Sequence, residues 1–245
     1  MEKKKIYDKD YFETRKKSAS LPHNFQTKRY HFEIIVNTFR YLKPKKVLDC
    51  GCAKGFLVYL FDKAGIDSYG IDISEYAINS SPENIRNKLS VVDVVNDKFP
   101  FCDNYFDLIV GLEIIEHLDS FDNFLKECYR VLKSNGYLFF TTPTPGSWDA
   151  IGDITHINVH PKSFWLDLIK KYNFVELTKQ EYKIFIKNFI KNYKKFIAFT
   201  PSERGIIKFL YKFGWFGKFL RSQFQVYINF FSPLSSTQLL IFKKI

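Results

Sequence analysis

An apolar strand that runs straight into a glycine-bearing turn and then a helix constrains this chain more than anything else in it. The stretch is Val47-Leu48-Asp49-Cys50-Gly51-Cys52-Ala53-Lys54-Gly55. Gly51 and Gly55 carry no Cβ, so the turn is open to backbone angles closed to other residues, and a ligand can touch the main chain. The helix predicted over residues 56–64 then aims its unpaired N–H groups at that ligand. Such a turn suits a nucleotide-like cofactor. Further on, Tyr69-Gly70-Ile71-Asp72-Ile73-Ser74 reads as a second strand ending in a carboxylate, placed to accept both hydroxyls of a ribose. The competing role for Asp72 is to cap the helix that starts near Glu75, a task open to Ser74 as well. A third strand, Ser90-Val91-Val92-Asp93-Val94, again ends at an acid, suited to an adenine amino group or to a plain loop.

The glycine spacing separates cofactor classes. A dinucleotide fingerprint needs Gly-x-Gly-x-x-Gly, whereas Gly51 and Gly55 stand four apart and Phe56 follows. NAD therefore fits poorly. Alternation of strand and helix predicts an α/β fold, a Rossmann-like, seven-stranded, mainly parallel sheet with helices on both faces. Strands are expected at 46–50, 68–72, 89–93, 106–111, 136–141, 173–178 and 236–243. A helix ending near Lys133 and stopped by Asn135-Gly136 precedes the fifth. Thr142-Pro143-Thr144-Pro145-Gly146 then opens a loop over the carboxyl edge of the sheet, where ligands of open α/β folds bind. Residues 25–41 read as an amphipathic helix that could lie over the cofactor. Residues 1–24 read as a mobile segment or lid.

Taken together, Asp49-x-Gly51-x-Ala53-x-Gly55, Asp72, Asp93 and the run Phe106-Asp107-Leu108-Ile109-Val110-Gly111-Leu112-Glu113-Ile114-Ile115-Glu116-His117-Leu118 resemble the class I S-adenosylmethionine-dependent methyltransferases. Within that class the look is of the small-molecule O-methyltransferases that include quinone-ring and glycan methylating enzymes. The resemblance spans residues 25–182, and Ala53, where many members carry glycine, departs from it. It implies S-adenosylmethionine as cofactor, with Asp49, Gly51, Cys52, Ala53 and Gly55 around its methionine part and Asp72 with Ile73 at its ribose. It likewise implies Asp93 with Val94 beside the adenine, and Leu112 with Glu113 on the pocket floor.

Methyl transfer to a hydroxyl needs a base, and histidine suits the task because its unperturbed pKa is about 6.5. The candidates are His117 after the fourth strand, and His156 in Asp153-Ile154-Thr155-His156, with Asp153 to orient a ring. His160, before Pro161, reads as structural. Glu113 and Glu116 are not separated by spacing, and no metal-ligand spacing is evident. The chain lacks the Asn/Asp-Pro-Pro-aromatic turn that grips exocyclic base amines, and it lacks a Pro-Cys pair for pyrimidine C5 chemistry. The four cysteines, Cys50, Cys52, Cys102 and Cys128, include no Cys-x-x-Cys pair, and no signal peptide precedes them. These features point to a cytoplasmic protein, with Cys50 and Cys52 filling space.

The chain holds 37 Lys+Arg against 26 Asp+Glu, a net charge of +11. Glu203 is the only acid in residues 183–245, so the whole excess falls there. Ile186, Phe189, Ile190, Tyr193 and Ile197 repeat at helical spacing, with Lys187, Lys191, Lys194 and Lys195 on the other face. Residues 205–231 add Trp215 and several phenylalanines among further lysines. We therefore expect a basic aromatic insertion over 183–233 and a last core strand over 234–245. No window reaches the roughly 18 to 20 apolar residues of a membrane span. Three roles stay open for the insertion: packing over the acceptor site, contact with a membrane surface, or, less favoured, nucleic-acid binding. The expected activity is O-methylation of a small, lipid-linked or sugar-containing acceptor. The alternatives are an RNA methyltransferase that uses the basic tail, and a non-catalytic membrane-associated module.

Overall fold

The computed structural model describes residues 6–13, 25–151, 153–197 and 237–245. Most of the predicted insertion, including the aromatic stretch 205–231, lies outside these residues, as do residues 1–5 and 14–24 of the expected lid.

The strands are β1 Lys46–Cys50, β2 Asp67–Asp72, β3 Leu89–Val91, β4 Phe106–Leu112, β5 Leu132–Pro143, β6 Phe174–Glu176 and β7 Thr237–Lys244. The helices are α1 Lys9–Glu13, α2 Phe25–Phe39, α3 Phe56–Lys63, α4 Glu75–Asn79, α5 Glu83–Arg86, α6 Asp122–Val131, α7 Trp148–Ile151, α8 Lys162–Lys170 and α9 Lys179–Ile197. The strands form one sheet in the order β3-β2-β1-β4-β5-β7-β6. The first five run parallel, and β7 lies antiparallel between β5 and β6.

Both faces of the sheet are covered, which explains why its strands read as continuous apolar runs instead of alternating ones. Val47, Leu108, Val110, Phe139 and Ile241 point to one face, where they meet Ile34, Ile35 and Phe39 of α2, Leu57 and Phe61 of α3, and Phe185 and Phe189 of α9. Their neighbours Leu48, Ile109, Phe140 and Phe242 point to the other, against Phe124 and Val131 of α6 and Trp165 and Ile169 of α8.

Local chemistry accounts for the boundaries that differ from expectation. β3 stops at Val91 because Asp93 turns the chain: its carboxylate accepts from the Val95 N–H at 3.0 Å, and its carbonyl accepts from Asn96 and Asp97. α6 ends at Val131, short of Lys133, because Leu132 is already paired with Phe106 and fully buried. Left-handed Asn135 and a register shift then carry β5 onward. The helix predicted over residues 25–41 ends as a short 3-10 turn, Arg40–Leu42, and its C-terminal half packs on the sheet face beside α3. Against the glycine turn itself lies α1, whose Tyr11 and Phe12 are buried with Ala53, Tyr76 and Ala77.

The basic helix begins earlier than its lysine pattern suggested, so α9 runs through the expected boundary at residues 182 and 183. Its apolar side is spent on the core. The Phe185 ring lies 5.7 Å from that of Phe39 and 5.8 Å from that of Phe139, while Ile184 and Ile190 remain exposed. No helix among the described residues is long and apolar enough to cross a membrane. Truncation of a fully buried phenylalanine costs about 3–5 kcal/mol. Phe185→Ala should therefore lower the unfolding free energy by that order in urea titrations, whereas Ile190→Ala should change it by less than about 1 kcal/mol.

Candidate cofactor cradle and acceptor site

The turn after β1 is wound tightly against β2. The N–H groups of Gly51 and Cys52 both donate to the Ile71 carbonyl, at 2.8 and 3.1 Å, and that of Gly55 donates to Cys52 at 2.8 Å. Gly55 has a φ of +71°, and a Cβ there would meet Ile85 and Leu89 at 2.7 Å, so only glycine fits. It also starts α3, whose N-terminus has no side-chain cap. Ala53 is left-handed as well, at φ 49°. That backbone angle costs about 1–2 kcal/mol in an L-residue.

What holds Ala53 there is Asp72. One carboxylate oxygen of Asp72 accepts from the Ala53 N–H at 2.8 Å and the other from the Ser74 N–H at 2.8 Å. Capping of α4 falls to Ser74, whose hydroxyl accepts from the Ala77 N–H at 3.1 Å, so the capping role considered for Asp72 is filled. Each oxygen of Asp72 keeps acceptor capacity for a further donor. Asp49 is buried at the end of β1, and burial first, then the nearby Asp72, pushes its pKa well above the carboxylate range. Burial also raises Asp72, opposed by its two backbone hydrogen bonds.

The remaining cradle residues divide by what they touch. Cys52 packs its side chain with Val58, Ile78 and Ile85, and burial pushes the thiols of Cys50 and Cys52 up, which makes both space-filling and inert. Val94 is buried in the core, Ile73 is half-buried at the entry to α4, and Asp93 holds its own turn through Val95 and Asn96. Leu112 ends β4, and Glu113 follows at φ 52°, held there by donating to the Thr141 carbonyl and hydroxyl at 3.1 Å each.

Beyond Glu113 the structure gathers groups that the sequence left apart. The rings of His117 and His156 lie edge to face, 4.7 Å between centroids. Thr155 gives its hydroxyl proton to Asp153 at 2.6 Å, so its oxygen accepts from His117 Nδ1 at 3.0 Å, as does its carbonyl at 3.2 Å. His117 Nδ1 therefore carries the proton, and Nε2 carries the lone pair. Asp153 reaches the His117 ring only through Thr155. Glu116 was not singled out by spacing. It is fully buried, with the side chains of Thr142 and Glu113 against its carboxyl group, and buried Nδ1 of His156 has no hydrogen-bond partner. Burial first, then Glu113, drives the Glu116 pKa well up. His160 is structural: its ring stacks on Phe164 at 3.8 Å.

The N-terminal segment joins the two halves of the site. Ser74 donates its hydroxyl to the Tyr7 carbonyl at 2.6 Å, Lys54 pairs with Glu13 at 2.6 Å, and the Tyr7 ring lies 6.0 Å from that of His117. The Tyr7 hydroxyl is raised, mainly by burial, and it feels Asp153, Asp72 and Glu116 together. Sequence reasoning gave Tyr7 no role, because nothing local marks it.

Residues 48–140 match the family model described as a methyltransferase domain. Among curated proteins, the chain is 33% identical over 130 residues to the ubiquinone biosynthesis O-methyltransferase of Pelagibacter ubique, covering 49% of this chain and 54% of that protein. It is 32% identical over 139 residues to the malonyl-[acyl-carrier protein] O-methyltransferase of Legionella pneumophila, covering 51% and 48%. The matched part thus spans about half the length of these relatives. Among solved structures, the fold matches a SAM dependent methyltransferase from Archaeoglobus fulgidus with a TM-score of 0.51 at 21% identity, covering 69% of this chain and 91% of that one. Over residues 48–140 the chain is thus similar to methyltransferase domains, and its fold is that of a SAM dependent methyltransferase.

The buried acid at the end of β1 has a measurable cost. The folded pKa of Asp49 lies above its unfolded value, so the folded state holds the extra proton, and stability is lost as pH rises from about 4 through the folded pKa. Asp49→Asn removes that loss. Calorimetric melting of the ligand-free protein should show the variant more stable at neutral pH, with the gap closing as pH falls toward about 4.

Proposed function

We propose that this protein transfers the methyl group of S-adenosylmethionine to a hydroxyl of a small, lipid-linked or sugar-containing acceptor. The observation that carries this reading is the placement of two buried carboxylates, Asp49 and Asp72, around the left-handed turn at Gly51–Gly55. Carboxylates buried without a cation are costly. A ligand with a sulfonium and an ammonium group relieves that cost, and ribose hydroxyls suit the remaining lone pairs of Asp72. Asp93 with Val94 is proposed for the adenine side, and Leu112 with Glu113 for the floor. The reaction is an in-line displacement: the acceptor oxygen forms its bond to the methyl carbon as the methyl–sulfur bond breaks and its electron pair returns to sulfur. The protein's work is to align the partners and to remove the acceptor proton. We assign that proton to Nε2 of His117, whose ring lies beside that of His156. The names of the relatives support an oxygen acceptor.

Loss of the Asp72 carboxylate should weaken cofactor binding by about 1–3 kcal/mol, so Asp72→Ala is tested by calorimetric titration with S-adenosylmethionine. Unchanged affinity would remove the ribose assignment. His117→Ala should lower kcat about 10²- to 10⁴-fold while cofactor affinity holds. The acceptor class is read by supplying methyl-labelled cofactor with cell extract and partitioning the label into organic, small aqueous, RNA and protein fractions. Label in the organic or glycan fraction supports the proposal, and label in RNA overturns it.

Contact with a membrane surface belongs to the same proposal, because a lipid-linked acceptor requires it. Phe185 and Phe189 are committed to the core, which leaves the exposed Ile184, Lys187, Ile190 and Lys191 of α9 to meet anionic headgroups. Lys187→Gln with Lys191→Gln should reduce co-sedimentation with anionic vesicles, and equal sedimentation of variant and parent would remove this contact.

A further inference from the structure

The N-terminal segment is seated on the two stretches of chain that hold Asp72. Tyr11 and Phe12 of α1, both buried, pack with Ala53 of the glycine turn on one side of that acid and with Tyr76 and Ala77 of α4 on the other. Polar contacts repeat the pattern. Glu13 pairs with Lys54 at 2.6 Å and accepts from the Tyr76 hydroxyl at 3.0 Å, and the Tyr7 carbonyl accepts from the Ser74 hydroxyl at 2.6 Å. Ala53 and Ser74 are also the residues whose N–H groups bind the Asp72 carboxylate. Residues 7–13 therefore lie across this acid like a strap, and Asp72 keeps only 9% of its exposure.

The same segment reaches the acceptor side. The Tyr7 ring stands perpendicular to that of Tyr11 at 5.0 Å and to that of His117 at 6.0 Å. Both tyrosine hydroxyls lie near Thr155 and Asp153, and burial raises the pKa of each. Thr155 is the residue that fixes Nδ1 of His117. The His117 ring is thus held at one nitrogen by Thr155, flanked at 4.7 Å by the His156 ring, and met by Tyr7 from the other end of the chain.

The strap is weak by itself. A five-residue helix such as α1 persists only when docked, because isolated helices shorter than about 12–15 residues are marginal in water. Its ion pair with Lys54 leaves Glu13 44% exposed, and pairs of this kind contribute little. The charge beneath it decides its position. Closed over bare Asp49 and Asp72, the strap helps to keep two carboxyl groups from water, and burial is the leading influence on both. A ligand that brings positive charge and hydroxyl groups to these acids removes that cost in the closed state, so its binding favours closure.

We propose that residues 7–13 close over the bound cofactor and, in closing, set Tyr7 against His117, so that the acceptor side is completed only after the cofactor is in place. The inference rests on the cofactor proposed above. The strap must lift for the cofactor to enter and for its demethylated product to leave, because Asp72 lies beneath it. Tyr7 is a positioning residue in this arrangement and acts through the ring of His117.

The full chain, isotope-labelled at histidine, is titrated with S-adenosylhomocysteine, and dissociation is timed by displacement with excess S-adenosylmethionine. Tyr11→Ala combined with Phe12→Ala unseats the strap and should speed dissociation about tenfold or more. Glu13→Ala, an exposed substitution that only unlatches it, should do so about two- to tenfold. Binding should shift the magnetic-resonance signals of the His117 ring, assigned by their loss in His117→Asn. That shift should vanish in Tyr7→Leu and persist in Tyr7→Phe. The strap residues pack outside the clusters that fill the sheet faces, and circular dichroism checks the fold of each variant. Parental dissociation rates in both strap variants overturn the gate. His117 signals that do not respond to the ligand, or respond equally in Tyr7→Leu, overturn the coupling while leaving the cofactor reading in place. A parent protein that binds neither ligand overturns the strap and the proposed cofactor together.

Discussion

The carboxyl edge of this sheet depends on one contact, the hydrogen bond from the Ala53 N–H to the Asp72 carboxylate. Ala53 is held in a left-handed conformation that an alanine resists, and the buried acid of the neighbouring strand anchors it. Through that bond the turn after β1 is registered against β2, and Gly51 and Gly55 bring the chain around without steric cost. Ser74 extends the same device: it donates its N–H to Asp72, caps α4 and donates its hydroxyl to Tyr7. Cradle, helix start and N-terminal segment are thus one hydrogen-bonded unit built around a single carboxylate.

A second physical theme is buried negative charge. Asp49 and Asp72 lie inside the protein at strand ends and Glu116 on the turn past β4, and desolvation is the leading influence on each. Asp72 is relieved by two backbone donors, whereas at Glu116 burial and the neighbouring Glu113 outweigh the relief that Thr142 offers. Folding tolerates these acids because the sheet beneath them is covered on both faces, and large rings such as Phe39, Phe124, Phe139, Phe140 and Phe242 fill its core. A protein keeps such costs where cationic or electrophilic partners are to be received. The acids at 49 and 72 come from β1 and β2 and the histidines 117 and 156 from the segments after β4 and β5, so the two groups face each other across the middle of the sheet order.

The basic region shows how composition misleads about placement. Its lysine-aromatic pattern is consistent with a helix free to settle on a surface. In the structure the described part of that helix uses Phe185 and Phe189 to close the sheet face beside α2, while lysines such as Lys183, Lys187 and Lys191 look outward with Tyr182, Ile184 and Ile190.

The strand-turn-helix at Val47–Gly55, the acids at 49 and 72 and the seven strands were legible in the sequence. Their signals are local: apolar runs, glycine spacing and a carboxylate at a strand end. Boundaries were less so, because Leu132 joins β5 by pairing with distant Phe106, and the turn at Asp93 is closed by side-chain bonds that no periodicity encodes. The capping ambiguity at Asp72 was settled only when Ser74 took the helix end. Tyr7 beside His117, the Asp153–Thr155–His117 relay and the meeting of Glu116 with His156 belong to tertiary structure alone. They join segments far apart in the chain, and what brings them together is the packing of β4 against β5 and the main-chain bonds between their loops.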